Sequence, residues 1–190
     1  MFGNRGCLHD DKGRIVRRCV GTRWIACRLE FKGIRRTLMR PGRYTELFFL
    51  DEATAFAAGH RPCAECRRDD YRRFVALWGE GGVREGVSAT TIDAQLHAER
   101  ADAVGHKRLH VLSSVDSVPD GAFIAHQGDP YLVIGDRVLR WTMSGYAAPE
   151  PRSSINKVLM ITPPSLADIL RRGWNPVVPL LHPSAIRCRL

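Results

Sequence analysis

Cys63 and Cys66 stand two residues apart in Pro62-Cys63-Ala64-Glu65-Cys66. That spacing brings two thiolates to one tetrahedral zinc across a tight turn whose backbone N–H groups aim at the sulfurs. Thioredoxin-like redox pairs use the same spacing, but they need a preceding buried strand in a βαβ setting. Gly59-His60-Arg61 precedes the pair here, so the reading is metal binding. The remaining cysteines, at 7, 19, 27 and 188, are candidates for further ligands. A disulfide scaffold is the weaker explanation, because the first twenty residues hold no apolar segment of the kind an export signal needs.

Other groupings compete for chemistry. His97-Ala98-Glu99 offers an imidazole and a carboxylate, with Glu99 as proton shuttle for a zinc-bound water if the segment begins a helix. In mid-helix, residues two apart point about 200° away from each other. Arg35, Arg36, Arg40 and Arg43 cluster within nine residues, and their forked guanidinium groups suit phosphate contacts. Their alternative is a solvated basic loop. No Ser/His/Asp nucleophile grouping is legible, and Gly3-x-x-Gly6 lacks the Lys and Ser/Thr of a phosphate loop.

The charge of the chain bears on the same question. Of its 190 residues, 29 are Lys or Arg and 20 are Asp or Glu, a net of +9. Residues 1–73 hold 17 basic and 9 acidic side chains, while residues 74–190 hold 12 and 11. A basic excess concentrated in one part is the footprint of a polyanion partner, because neutralising phosphates releases condensed counterions. Only 4 of the basic residues are Lys, a bias that base composition alone would also produce. The apolar fraction of 44% and charged fraction of 26% are those of a folded globular protein. No apolar run approaches the roughly 20 residues that span a bilayer, so a cytoplasmic protein without a membrane partner is expected.

These groups need elements to hold them. Residues 22–31 alternate with β character, Lys32-Gly33 reads as a turn, and residues 34–39 read as the second strand of a hairpin. Tyr44 to Leu50 reads as a buried strand. Asp51 then caps a helix from Glu52 to Ala58 that Gly59 ends. Asp69 to Leu77 reads as a helix with Tyr71, Phe74, Val75 and Trp78 on one side, and a further helix is predicted from Ile92 to Val104. The glycines from Gly79 to Gly86 mark the boundary between two halves. Beyond residue 118, short strands separated by turn dipeptides predict a β-meander closing into a small barrel or sandwich. A strand from Ile155 to Thr162 and a helix capped by Ser165 follow, and Pro176 to Leu181 reads as extended.

The stretch from Tyr44 to Arg67 resembles the zinc-binding domain of Ada-type DNA alkylation-repair regulators. In that family a strand ending in two aromatics leads into a short Glu-Ala helix and then Ala-Gly-aromatic-Arg-Pro-Cys-x-x-Cys; here these are Phe48-Phe49, Glu52-Ala53 and Ala58-Gly59-His60-Arg61-Pro62-Cys63. The resemblance covers about residues 20 to 73. It implies a four-thiolate zinc site completed by two upstream cysteines, the first of which accepts a methyl group. Cys27-Arg28 resembles that first cysteine with its arginine, but Phe31 stands where the second belongs. The last ligand would then come from Cys7, Cys19, His9, His60 or His97. The two motifs, Pro-Cys-x-x-Cys and His-Ala-Glu, also resemble, in reversed order, the halves of the zinc-dependent base deaminase signature.

The expected protein is α+β: a zinc-binding module over 1–78, a Gly-rich linker over 79–87 and a β-rich region over 88–190. Zinc is the expected cofactor, on Cys27, Cys63, Cys66 and His97. Nucleic acid is the expected partner, DNA ahead of RNA, through Arg35, Arg36, Arg40 and Arg43 in a repair or regulatory role. The alternative is a zinc hydrolase or deaminase acting on a nucleobase or nucleotide through Glu99.

Overall fold

The computed structural model of the chain describes residues 1–33, 37–80, 87–102 and 104–181. The fold is α+β. A small sheet is built from β1 (Phe2–Asn4), β2 (Ile25–Cys27), β3 (Leu47–Phe48) and β4 (Arg61–Pro62), in the order β3-β1-β2-β4. β1 runs antiparallel to β2 and β3, while β4 lies parallel to β2. Parallel neighbours need a crossover, and α1 (Glu52–Ala57) lies within the one between β2 and β4. The Asp51 carboxylate accepts the Thr54 N–H at 2.7 Å, and the Thr54 hydroxyl accepts the Asp51 N–H at 3.1 Å, a reciprocal cap that sets the helix start. Gly59 follows with φ +80, and a Cβ there would stand 2.5 Å from Arg100 Cδ, so both backbone conformation and space require glycine.

The expected hairpin after residue 22 is not what β2 joins. Its antiparallel partner is β1, twenty residues upstream, and residues 37–39 take no strand conformation. Lys32 and Gly33 both have positive φ, at 53° and 65°, and turn the chain away; the rest of the expected second strand lies outside the described residues.

Three longer helices follow: α2 (Arg68–Gly79), α3 (Ala89–Arg100) and α4 (Pro164–Arg171). α3 starts earlier than expected because the Ser88 side chain accepts the Thr91 N–H. It stops at Arg100 because the Asp102 carboxylate captures the N–H groups of Val104 and His106 in a competing turn. Ser165 is not the cap of α4; Pro163 stands there and Pro164 opens the helix.

The large sheet comprises β5 (His110–Val111), β6 (Phe123–His126), β7 (Asp129–Ile134), β8 (Arg137–Thr142), β9 (Gly145–Tyr146), β10 (Glu150–Pro151) and β11 (Leu159–Met160). Its order is β10-β8-β7-β6-β11-β5, with β9 also on β8, so β6, β7 and β8 form the expected meander in a path that does not close among the described residues. The expected strand from Ile155 shrinks to β11.

Alternation along the meander sends side chains to two faces, and both are covered. Ile124, Tyr131, Val133 and Val138 pack with Phe74 and Trp78 of α2, Ile92 and Leu96 of α3, and Leu166 and Ile169 of α4. Phe123, Leu132, Ile134 and Leu139 pack instead with Ala53 and Ala57 of α1. Phe56 of α1 reaches the first cluster, stacking on Trp174 with ring centroids 5.7 Å apart. The apolar cores thus draw on residues from both 1–78 and 88–190. No helix among the described residues is long and apolar enough to cross a membrane.

Candidate metal centre

The parallel pairing of β2 and β4 sets Ile25 opposite Arg61 and Ala26 opposite Pro62, so the next residues out, Cys27 and Cys63, leave the sheet side by side. The Cys63 N–H donates to Ala26 O at 3.0 Å and fixes that register. A turn then carries Cys66 back, with the Arg67 N–H on Cys63 O at 3.1 Å. The result is three buried thiols whose sulfurs all lie within 4.8 Å of one another. Thiolates bound to one zinc at about 2.3 Å sit about 3.8 Å apart, so small side-chain adjustments suffice to close the group on a metal.

Its surroundings fit a thiolate-bound metal. The N–H groups of Glu65 and Cys66 point at Cys63 Sγ, and the Arg28 N–H reaches Cys66 Sγ at 3.4 Å. Such donors disperse charge on bound thiolates. Phe2, Ile25, Phe31 and Tyr44 close around the sulfurs. Without metal, the Cys27 thiol donates to Cys63 and, together with those backbone N–H groups, holds Cys63 down to about 5. The same hydrogen bond and burial push Cys27 far up, and burial raises Cys66. Loading a divalent metal on the group therefore releases thiol protons.

Two buried ion pairs bracket the turn. On one side Arg61 Nε and Nη2 each donate at 2.8 Å to the Asp93 carboxylate on α3. On the other, Arg67 pairs with Glu52 at the start of α1 and, at 2.8 Å, with Asp70. Glu52 also accepts the Val177 N–H at 3.2 Å. Neither pair is legible as such in the sequence; the only signal is an arginine on each flank of the Cys-x-x-Cys turn.

The other sequence candidates lie elsewhere. Among the described residues, none of Cys7, Cys19, His9, His60 and His97 joins the three-cysteine group. The Cys7 thiol faces His9 O at 3.6 Å, and the His9 ring bridges Thr45 Oγ1 at 2.6 Å and Arg40 O at 3.2 Å. His60 is fully buried between the rings of Phe49 and Trp24. His97 stands edge-on to Trp24 with centroids 6.3 Å apart. Glu99 is engaged structurally: its carboxylate accepts the Ser165 N–H at 2.9 Å, the Ser165 hydroxyl and the Gln95 amide, tying α3 to the first turn of α4. The paired His and Glu that deaminase chemistry needs at the metal are thus not assembled there among the described residues. Arg40 and Arg43 are exposed in the loop before β3, while Arg35 and Arg36 lie outside the described residues.

Fold and site together define an α+β protein with a buried three-cysteine group able to hold a metal ion. Comparison with protein-family models, with curated proteins and with solved structures finds no match.

Proposed function

We propose that the chain is a zinc-containing nucleic-acid-binding protein whose metal serves structure, with a role in DNA repair or regulation of the kind the Ada-type resemblance implies. The observation that carries the metal is the buried Cys27, Cys63 and Cys66 group, soft in its donors and supplied with N–H groups aimed at sulfur. A metal there ties the end of β2 to the turn after β4.

The nucleic-acid reading rests on charge. Between residues 11 and 43 the described residues expose Lys12, Arg14, Arg17, Arg18, Arg23, Arg28, Lys32, Arg40 and Arg43, against exposed Asp11 and Glu30. That surface is continuous in sequence with the metal ligand Cys27, so metal removal loosens the segment that would meet phosphates. DNA is placed ahead of RNA on the resemblance.

The test has two readouts on the purified full chain. Elemental analysis should give one zinc per chain, lost in the Cys63→Ser/Cys66→Ser variant; stoichiometric zinc in that variant overturns the metal reading. Fluorescence anisotropy with duplex DNA, single-stranded DNA and RNA should show binding that weakens steeply with salt. Removing Arg40 and Arg43, or Arg35 and Arg36, should flatten the log–log salt slope by about 0.7 to 0.9 for every phosphate that is no longer neutralised. Absence of any retention at low salt overturns the nucleic-acid reading and leaves the metal reading standing.

A further inference from the structure

A cavity of about 350 Å³ lies away from the three-cysteine group, lined by Arg18, Cys19, His97, Asp102, Val104 and Gly105. Beside it stands Trp24, and the surroundings of that ring are unusual in their hydrogen bonding. The Arg5 guanidinium lies 4.7 Å from the ring centroid and that of Arg100 lies 4.1 Å from it, while His60 and His97 both contact it. Among the buried side-chain polar atoms without a hydrogen-bond partner in the described residues are Arg5 Nε, His97 Nδ1 and Arg100 Nε, while the His60 ring reaches only the Ala58 backbone. Of these four residues only His97 lines the cavity, so the two guanidinium groups act on it as buried charge behind its wall.

The charge is equally one-sided. Arg100 is fully buried and donates to the carbonyls of Gly59 and Thr22, neither of them an anion. Asp93, a carboxylate within charge range of Arg100, is already held on both oxygens by Arg61. Lys107, bonded to Ala57 O at 2.7 Å, has its pKa held down to about 7 by burial and by Arg100, so it adds only part of a charge. Arg18 is exposed and forms no ion pair among the described residues. Among the described residues the only carboxylate lining the cavity is Asp102, which is occupied by the N–H groups of Val104 and His106 and by the His106 ring.

We infer that this cavity is a binding site for a phosphoryl oxyanion, with Arg18 at its mouth, the His97 ring in its wall and the field of Arg5 and Arg100 behind it. Guanidinium forks match phosphate geometry, and a partly enclosed site strengthens each such contact. The cavity has room for a substituent on the phosphate, so a phosphate ester fits as well as the free ion. The inference does not rest on the nucleic-acid reading, and a free phosphate compound and a polymer backbone offer the site the same chemistry.

Cys19 provides the probe, since it lines the cavity and lies within charge range of Arg5 and Arg100. In alkylation its sulfur forms a bond to the reagent's methylene carbon as iodide leaves, and the thiol proton goes to solvent. The measured quantity is the rate ratio of anionic iodoacetate to neutral iodoacetamide at Cys19, read by peptide mass spectrometry on the zinc-loaded full chain. At low ionic strength that ratio should exceed the ratio in the urea-unfolded chain by at least about tenfold. Millimolar inorganic phosphate should suppress labelling by iodoacetate more than chloride does at matched ionic strength. Arg18→Gln, at an exposed position, should return the ratio toward the unfolded value without changing Tm. Protection by a mononucleotide but not by an oligonucleotide at equal phosphate assigns a free ligand; protection by the oligonucleotide assigns a backbone. Should Cys19 resist both reagents, a phosphate-induced rise in Tm that Arg18→Gln abolishes reads the same site. A native ratio equal to the unfolded one, or phosphate no better than chloride in both measurements, overturns the inference.

Discussion

Arg61 and Asp93 meet in a buried two-pronged ion pair, with Nε and Nη2 each 2.8 Å from a carboxylate oxygen and both side chains at most 6% exposed. Arg61 belongs to β4, one residue before the Pro62-Cys63 step, and Asp93 to α3, so this contact sets the metal turn against a helix thirty residues further on. The Tyr71 ring covers the guanidinium at 5.2 Å. Burying two charges is expensive and is offset only when each satisfies the other.

Asp93→Ala leaves the arginine charge without its partner, which should cost about 3–5 kcal/mol of stability. Because Arg61 sits in the strand that leads into Cys63, zinc affinity should fall with it. Urea unfolding with and without chelator checks both effects. A loss below about 1 kcal/mol would show that Arg61 finds another partner or water.

His60 should destabilise the protein in acid. Burial, with Arg5, Arg100 and Lys107 in range, holds its pKa well below the ordinary value of 6.5, so the folded chain keeps it neutral where the unfolded chain protonates it. The stability this neutrality provides is complete above pH 6.5 and falls as pH drops, by about 1.4 kcal/mol per unit until the folded group titrates. His60→Phe, which keeps an aromatic between Phe49 and Trp24, should remove that slope below pH 6.5 and raise Tm at pH 5. Parallel stability profiles of the two proteins between pH 5 and 6.5 would refute the assignment.

Tyr146 should do the converse in alkali. Its hydroxyl donates at 2.6 Å to the buried Asp51 carboxylate that caps α1, and burial with that neighbouring charge raises its pKa far above 10. Its contribution is complete below pH 10 and is lost above it, again by about 1.4 kcal/mol per unit, because the unfolded tyrosine ionises first. Tyr146→Phe should cost about 1.5–3 kcal/mol at pH 7 by removing the charged hydrogen bond, and its stability should decline less steeply between pH 10 and 11. Chemical denaturation at three pH values separates the two effects.

Glu99→Ala removes the acceptor that Ser165 uses at the start of α4. The expected result is a loss of about 1–3 kcal/mol with zinc stoichiometry unchanged, measured by denaturation and elemental analysis on the same sample. Loss of zinc in a variant that stays folded would return Glu99 to the metal.

On the proposed Ada-type reading Phe31 stands where a fourth thiolate would, and it packs against the cluster formed by Phe2 and the three cysteines. Phe31→Cys should therefore tighten zinc binding by at least about tenfold, judged against a chromophoric chelator. Unchanged affinity would mean that position 31 faces away from the metal.

Much that is local was legible in the residues alone. The Asp51 cap, the end of α1 at Gly59, the course of α2 and the meander of β6 to β8 each depend on neighbours a few positions away, and so does the pairing of Cys63 with Cys66 across one turn. What depends on distant partners was not. The antiparallel neighbour of β2 is Phe2 to Asn4, not the segment after its turn, because residues 32 and 33 turn the chain away. Cys27 was expected beside Cys63 and Cys66 only through the family resemblance; the parallel register that brings it there is fixed by the assembled sheet. The spacing to His97 offers Glu99 as an acid–base group only in the alternative reading, and tertiary packing gives its carboxylate to Ser165, sixty-six residues on. Charge could be counted from composition, but its pairing could not: Asp93 is bonded by Arg61, while the hydrogen bonds that Arg100 makes among the described residues go to carbonyls, because pairing is decided by which side chains the fold brings within about 3 Å.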